Sequence, residues 1–244
     1  MKLEDPPPVL FYRGELRECP LVGVVGTRKP NSYTHKFVKD IVRDSLASGY
    51  GVVSGGAVGV DTWAHEETIK NSGYGVCILG FGLLKARGSL FERLLKSNGV
   101  LISELMPYES GDKFTFPKRN RLIAGMSEFL IVPEAGSKSG ALITARYAHK
   151  LGKKVFVHIG IGRSSNWDGC YKLLKEGTAE ILKDGSDIFG ESREDTPLEE
   201  FLKTPRTISE VAEFLGCGES QAIETLTTLE LEGKVHRIGA LFSS

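Results

Sequence analysis

The sequence predicts a doubly wound α/β fold, in which helices cover both faces of a mostly parallel sheet, followed by a small winged helix-turn-helix unit. Three observations lead to this prediction. Short apolar runs alternate with segments of helical periodicity along most of the chain. Most of these runs, such as residues 21–26, are continuously apolar, which is typical of strands buried on both faces. Several of them end in glycine, hydroxyl or basic residues, at the edge where such sheets bind ligands.

The predicted elements follow one another in β/α order. The proline-rich segment 5–16 contains a short strand, and Gly49 ends the first long helix. The further strands are predicted at residues 21–26, 50–53, 75–79, 100–105, 129–132 and 155–159. The helices are predicted at residues 33–47, around 63–69, and at 90–97, 119–126, 141–148 and 167–176.

A change in composition after Gly190 divides the chain into three predicted parts. Residues 1–190 form the α/β domain, residues 191–204 an acidic linker, and residues 205–244 the winged-helix unit. Thr207 and Glu210 have the spacing of a capping box at the start of that unit's first helix. From residue 205 onward the chain has three basic and six acidic residues, which phosphates would repel. We therefore expect the unit to bind protein or to have a regulatory role rather than to read DNA.

The composition indicates a globular protein with no bulk attraction to polyanions. The chain has 244 residues and a formal net charge of zero. Its basic residues are nevertheless segregated, since residues 113–127 contain four of them and residues 135–167 contain six, with no acid in either segment. The four cysteines form no CxxC pair, and no apolar run would span a bilayer. Together with an N-terminus unlike a signal peptide, these features predict a cytoplasmic protein without membrane association.

The basic middle of the chain contains the pattern that most strongly predicts a binding site. A basic run, residues 118–121, precedes the strand at 129–132, and the glycine- and serine-rich turn 136–140 opens the next helix. A strand, a glycine-rich turn and a helix N-terminus together bind phosphate through backbone N–H groups and the helix dipole. Arg28 follows an earlier strand and is expected at the same edge of the sheet. The sequence therefore predicts a site for a phosphate-rich ligand.

Patterns for cofactors and catalysis are weak by comparison. The chain has no GxGxxG opening a helix and no GxxxxGK[ST], so we expect neither a dinucleotide cofactor nor P-loop hydrolysis of ATP. Asp61 and His65 have i, i+4 spacing, which suits a metal or an acid/base pair as well as a buried structural contact; we favour the structural contact and predict no metal site. Glu134 is expected to anchor a loop through backbone N–H groups.

Seven blocks of the sequence, taken in order, are DPPPVLFYRGEL, VGVVGTRKPNSY, VVSGGAVGVDTWAH, GVCILGFGL, LISELMP, FPKRNRLIAGMS and VPEAGSKSGALITARYA. These blocks, in this order, resemble the family of DNA-processing proteins called DprA or Smf. The tail is similar to the winged helix that ends many members. The resemblance implies an extended Rossmann-like fold and a non-enzymatic protein of natural transformation and recombination, with no cofactor. Such proteins protect incoming single-stranded DNA, act as homodimers and load the RecA recombinase onto the strand.

The resemblance also implies which residues bind the DNA. They are Arg28, Ser54, Gly55, Gly56, Lys118, Arg119, Asn120, Arg121, Lys138, Ser139 and Gly140. Ser54 to Gly56 would line the pocket with backbone N–H groups, and Lys138 to Gly140 would close the phosphate site at a helix N-terminus. Helical spacing places Arg119 and Arg121 on different sides of a helix, so one of the two is expected to meet the ligand. Asn120 would equally suit a helix cap.

Other function classes stay open at this level. Residues 133–136, PEAG, are superficially similar to the strand-end motif of nucleoside monophosphate phosphoribohydrolases, enzymes of the same Rossmann-like superfamily. The paired glycines of that motif are missing, and no clear pair of carboxylates is present to cleave an N-glycosidic bond. A nucleotide-sensing domain with the winged helix as its output is a third interpretation.

The chain departs from the DprA pattern at Thr34, where glycine is usual, and at residues 84–88.

Overall fold

The computed structural model of the chain describes residues 3–160, 164–190, 197–231 and 234–243. The chain folds as two compact units, residues 1–192 and residues 193–244, each with a hydrophobic core of its own. The predicted end of the last helix at Gly233 lies outside the described residues, as does the first part of the predicted linker, residues 191–196. In the described ranges, no helix is long and apolar enough to cross a membrane.

An eight-stranded sheet forms the centre of the first unit. Its strands are β1 (Phe11–Gly14), β2 (Leu21–Val24), β3 (Gly51–Ser54), β4 (Gly75–Leu79), β5 (Val100–Ser103), β6 (Phe129–Val132), β7 (Val155–Val157) and β8 (Glu180–Ile181). They lie in the order β1-β5-β4-β3-β2-β6-β7-β8, and the one antiparallel pair is β1 with β5. This confirms the predicted mostly parallel sheet. The sequence interpretation missed β8, whose two residues are exposed.

Helices cover both faces of this sheet, as predicted. They are α1 (Ser32–Ala47), α2 (Val60–Lys70), α3 (Ser89–Lys96), α4 (Thr115–Met126), α5 (Ala141–Lys150), α6 (Asp168–Lys175) and the short α7 (Ser186–Phe189). The first three pack on one face of the sheet, and α4, α5 and α6 pack on the other. Neighbouring strand residues serve opposite faces: Val52 packs with α1 and Val53 with α4. Burial on both faces explains why the strands are continuously apolar.

Helix α4 begins earlier than predicted. The sequence interpretation starts it at Arg119, whereas the helix begins at Thr115. The carboxylate of Asp112 accepts the N–H of Thr115 at 2.8 Å and so supports the first turn, which has no apolar periodicity to reveal it. Pro117 lies in that turn, where its missing N–H would have no helical partner. The basic run 118–121 therefore lies inside a helix, and Asn120 does not cap one.

The second unit has the predicted winged helix-turn-helix pattern. Its elements are α8 (Pro197–Phe201), β9 (Arg206–Thr207), α9 (Ile208–Leu215), α10 (Glu219–Leu231), β10 (His236–Ile238) and β11 (Leu241–Ser243). The three strands form a small antiparallel sheet in the order β10-β11-β9. The predicted capping box is confirmed, because Oγ1 of Thr207 accepts the N–H of Glu210 at 3.3 Å and the Glu210 carboxylate accepts the N–H of Thr207 at 2.8 Å.

Part of the segment predicted as a linker is folded. Residues 197–201 form α8, and Leu198 and Leu202 are buried in the core of the second unit with Val211 and Leu226. The two leucines are one helical turn apart, so they lie on the same face of the chain. The many acidic residues around them led the sequence interpretation to assign the whole segment to a linker, and for this part the assignment is wrong.

Replacing Leu202 with alanine should destabilise the second unit by about 2–5 kcal/mol, because a fully buried leucine leaves a cavity behind. Leu231→Ala is the matched control, since the same atoms are removed from a side chain that is 82% exposed. Hydrogen exchange of the α9 and α10 amides measures the difference without relying on tryptophan fluorescence. Equal exchange in the two variants would mean that Leu202 is not part of this core.

Candidate functional site

The carboxyl ends of β2 and β6 mark the point at which the connections of the sheet change direction. The two strands are parallel neighbours, with Val22 opposite Phe129 and Val24 opposite Ile131. β2 leads into α1 on one face, and β6 leads into α5 on the other. The turns after the two strands therefore diverge and leave a crevice, which is where ligands bind in this class of fold. A cleft of about 680 Å³ occupies this position.

Three segments form most of the wall of this cleft: the turn after β2, the first half of α4 and the turn after β6. The residues that line it are 25–29, Ala57, Asp61, Phe116, Pro117, Arg119, Asn120, Ile123, 136–141, Ile143, Thr144 and Ser165. The predicted site residues that meet here are Arg28, Arg119, Asn120, Lys138, Ser139 and Gly140. The cleft volume falls within the range of about 300–1,000 Å³ that is usual for sites that bind small molecules.

The unpaired charges on the cleft wall are positive. Arg28, Lys29 and Lys138 are exposed, and none of them forms an ion pair with a carboxylate in the part of the chain that the structure describes. Asp61 is the one carboxylate among the described lining residues, and it is 7% exposed. Three cations without local compensation create a positive potential in a concave site, which attracts anions.

The turn after β6 combines a cation with unused backbone donors. The N–H of Ser139 donates to the carbonyl of Gly136 at 3.0 Å, and Oγ of Ser139 accepts the N–H of Ala141 at 3.3 Å. No acceptor in the described ranges takes the N–H of Lys138 or Gly140. Asn120 of α4 also lines the cleft, and its Nδ2 donates to the Gly140 carbonyl at 3.4 Å. The turn therefore offers free N–H groups beside the positive end of the α5 dipole.

Glu134 fixes the turn after β2 to the end of β6. Its Oε2 accepts the N–H of Asn31 at 3.1 Å and the hydroxyl of Thr34, and its carbonyl accepts the N–H of Thr27 at 2.8 Å. The expectation that Glu134 anchors a loop through a backbone N–H is confirmed, although the loop belongs to the neighbouring strand. Thr34, a departure from the family pattern, supplies one of these donors.

Arg119 is a buried connector rather than an exposed contact. Its side chain is 5% exposed, and Nη1 donates to the carbonyl of Gly55 at 2.8 Å and to the carbonyl of Ile78. The N–H of Gly55 in turn donates to Oδ2 of Asp61 at 3.1 Å. Burial raises the pKa of Asp61, and the neighbouring Arg119 guanidinium opposes that rise. Burial also lowers the pKa of Arg119. The expected structural role of Asp61 is thus confirmed.

Residues 54–56 do not line this cleft, and their contact with a ligand stays a prediction. Ser54 is fully buried, and its Oγ donates to the carbonyl of Val24 at 2.6 Å. The amide of Gly55 is occupied by Asp61. Gly56 has a φ of +68° and lies against Cys77, where an added Cβ would be 2.7 Å from Sγ. The glycines are required by close packing beneath the cleft rather than by a ligand.

Arg121 and Lys118 also lie away from the cleft. The Arg121 guanidinium is bidentate to Glu104, with Nη1–Oε1 and Nη2–Oε2 distances of 2.8 and 2.7 Å, and its Nε donates to the carbonyl of Asp5. Lys118 is exposed, with Nζ 4.0 Å from the Glu104 carboxylate. Arg121 does not line this cleft, its contact with a ligand stays a prediction, and the predicted separation of Arg119 from Arg121 is confirmed.

His65 lies in the interior beside this network. It is fully buried, and burial lowers its pKa to about 4, with the Arg119 charge acting in the same direction. The ring is therefore neutral near pH 7. Across the described ranges, no group of three or more histidine, cysteine or acidic side chains is arranged to hold a metal ion. Asp61 bonds to the N–H of Gly55 beneath the cleft, whereas neither ring nitrogen of His65 has a hydrogen-bond partner in the described ranges.

Sequence reasoning missed two residues that matter for this site. Lys29 lies on the cleft wall, and its position directly after Arg28 in the same strand-end turn could have predicted that. Glu104 neutralises Arg121, and it follows β5 directly, at the carboxyl edge of the sheet. A carboxylate at that edge beside a predicted basic run is a signal for an ion pair, although the register of α4 is needed to identify its partner.

A doubly wound α/β domain with a basic crevice at its switch point defines a protein of Rossmann-like architecture. Residues 1–193 match the family of DNA recombination-mediator protein A. The chain belongs to this family, and the resemblance to DprA and Smf proteins is confirmed.

Individual relatives support the same assignment. Protein Smf of Synechocystis sp. is 35% identical over 193 residues, which cover 75% of this chain and 48% of that protein. DNA processing protein DprA of Streptococcus pneumoniae is 36% identical over 195 residues, which cover 78% of this chain and 68% of the relative. The chain thus spans between about half and two thirds of the length of these relatives.

Solved structures share the fold. The X-ray structure of DprA from Streptococcus pneumoniae has a TM-score of 0.69 at 36% identity, over 76% of this chain and 66% of that one. DNA processing protein A from Helicobacter pylori, described for its single-stranded DNA binding mode, has a TM-score of 0.68 at 29% identity, over 77% of this chain and 87% of that one. A molybdenum cofactor binding protein from Rippkaea orientalis, 16% identical with a TM-score of 0.50 over 71% of this chain and 94% of that one, shares the fold alone.

The ion pair of Arg121 with Glu104 should be structural. Arg121→Ala is expected to lower the free energy of unfolding by about 3–5 kcal/mol, because it leaves the Glu104 carboxylate, whose side chain is 8% exposed, with only the more distant Lys118 as a partner. Lys138→Ala, at an exposed position, should change it by less than about 0.5 kcal/mol. Urea unfolding followed by the fluorescence of the buried Trp167 compares the two variants. Similar losses in both would contradict this division of roles.

Proposed function

We propose that this chain binds single-stranded DNA through its phosphate backbone in the cleft between the turns after β2 and β6. The observation that carries the proposal is the convergence of Arg28, Lys29 and Lys138, all exposed and without an ion pair to any described carboxylate, beside unused backbone N–H groups. Cations and amides of this kind bind phosphate without reading the bases. Phe116 lines the same cleft and offers a ring on which a base can stack.

The biological role follows from the family. The relatives from Streptococcus pneumoniae and Bacillus subtilis are named DNA processing protein DprA, and the Helicobacter pylori protein is described by its single-stranded DNA binding mode. By extension, this chain takes part in natural transformation and recombination in the cytoplasm. It protects incoming strands as a homodimer and loads RecA onto them.

Binding rather than catalysis is the activity that the cleft supports best. The rival interpretation, a phosphoribohydrolase-like or other nucleotide-directed enzyme, needs a carboxylate free to act at the sugar. Asp61 is buried and accepts the N–H of Gly55, and Glu134 is fully buried and accepts donors from the turn after β2. Both carboxylates nearest the cleft are thus engaged in holding its walls.

Lys138→Ala and Arg28→Ala should each weaken binding of oligo-dT about tenfold, equivalent to about 1.4 kcal/mol. Each should also flatten the dependence of log K on log salt concentration by about 0.7, the loss of one phosphate contact on a single strand. Fluorescence anisotropy at several salt concentrations measures both quantities. The matched control is Lys70→Ala, an exposed lysine at the far end of α2, which should bind like the parent. If all three variants match the parent, the site is elsewhere.

We assign the second unit a protein-binding or regulatory role. Helix α10 carries Glu219, Glu224 and Glu230 where a DNA-reading helix would present basic residues. A chain that ends at Gly190 should therefore keep its affinity for oligo-dT within about threefold, since a change of less than about 0.7 kcal/mol is expected when no phosphate contact is lost. Anisotropy with the full-length and shortened chains makes the comparison. Loss of binding on truncation would refute this reading of the acidic unit.

A further inference from the structure

A second, smaller cavity lies between α1 and the segments that follow β7 and β8. Its volume is about 190 Å³, and it is lined by one face of α1 from Tyr33 to Ile41 together with His158 and residues 183–185. It shares no lining residue with the larger cleft. At this size the cavity fits a single ring system, since pockets that hold a whole ligand usually have a volume of about 300 Å³ or more.

Three aromatic rings are stacked at this cavity. His158 stacks on Phe37, with centroids 4.0 Å apart and planes at 21°, and Tyr33 stacks on His158 at 5.7 Å and 24°. Phe37 and His158 are 9% and 7% exposed, whereas Tyr33 is 45% exposed. An exposed ring that is held in place by buried rings is a ready platform for a further flat ring.

His158 also brings an unused hydrogen-bond acceptor to this cavity. Its Nδ1 lies 3.1 Å from the carbonyl oxygen of Leu182, and because that oxygen can only accept, Nδ1 carries the proton. Burial lowers the pKa of His158, so the ring stays neutral near pH 7 and Nε2 keeps its lone pair. Nε2 is buried and has no partner in the described ranges. A buried acceptor without a donor is unfavourable, and the ring is held in this position by its contacts with Phe37 and Tyr33.

The charges at the rim of this cavity favour a ligand that also carries a negative group. Lys36 is exposed and pairs with no carboxylate in the described part of the chain. Each of the two acids at the rim has a cation beside it: Asp40 pairs with Arg43 at 3.0 Å, and Asp184 pairs with Lys183 at 3.6 Å. A flat ring that carries a negative group describes a nucleotide.

The chain itself connects this cavity to the cleft. Arg28 and Lys29 lie on the cleft wall, and Tyr33 follows four residues after Lys29 at the start of α1. The intervening turn is held by the bond from the Asn31 N–H to Glu134. Both sites therefore lie at the carboxyl edge of the sheet, on either side of one anchored turn. A DNA strand that leaves the cleft beside Lys29 passes Tyr33 next.

We propose that this cavity is a base-binding subsite for the same strand. A base stacks on the exposed face of Tyr33, and its phosphate lies beside Lys36. Every natural base has a face that can stack, so the subsite tolerates sequence. This inference rests on the proposed binding of single-stranded DNA in the cleft.

The test uses the full chain and an oligo-dT series of increasing length, with a single 2-aminopurine moved through the longest member. In the parent, affinity should rise at the length that reaches the subsite, and emission should be quenched at one or two positions. Tyr33→Ala should remove the quenching and weaken the long oligonucleotides about tenfold, because the stacking of one base is lost. Short oligonucleotides that fill only the cleft should bind as before, which also shows that the variant is folded.

Two further variants sharpen the result. Tyr33→Phe keeps the ring and should keep the quenching. Tyr12→Ala removes another exposed tyrosine, on β1 at the opposite edge of the sheet, and should behave like the parent. If Tyr33→Ala matches Tyr12→Ala at every length and position while Lys138→Ala still weakens binding, the subsite is refuted and the cleft stands. If the parent binds no member of the series, both the subsite and the proposed function are refuted.

Discussion

The buried carboxylate of Glu134 holds together the two turns on which the site depends. It is fully buried, and its Oε2 accepts the N–H of Asn31 and the hydroxyl of Thr34, whereas Oε1 has no partner in the described ranges. The carbonyl of the same residue accepts the N–H of Thr27. The start of α1 is thereby fixed to the end of β6. This contact therefore helps to position both the cleft and the cavity at Tyr33.

The basic residues of the first unit fall into two groups that differ in burial. Arg119 and Arg121 are buried. The guanidinium of Arg119 joins α4 to the residues at the strand ends, and that of Arg121 neutralises Glu104. Arg28 and Lys138 are exposed on turns, where their charges are available to a ligand. A chain of zero net charge can therefore still present a positive crevice, because the acids that balance its exposed cations lie elsewhere.

The fold and half of the site could be predicted from local pattern, whereas the remainder depends on long-range packing. Strands such as β6 and the turn that carries Lys138 are recognisable because continuous apolar runs and glycine-rich ends have local physical causes. Burial of Arg121 is not visible in this way, since its partner Glu104 is 17 residues distant. The start of α4 depends on the hydrogen bond from the Thr115 N–H to the Asp112 carboxylate, and the ring stack at His158 depends on the position of α1 across β7.

The contact between Gly55 and Arg119 constrains how this sequence can change. A methyl group on Gly55 would lie 2.6 Å from Nη1 of Arg119, so no larger residue fits while the arginine is present. Removing the arginine first would leave the buried carbonyls of Gly55 and Ile78 without their donor. Each single step is unfavourable, although a joint replacement need not be. The pair is therefore epistatic, and substitutions at either position should be tolerated only in backgrounds that already carry a compensating change at the other.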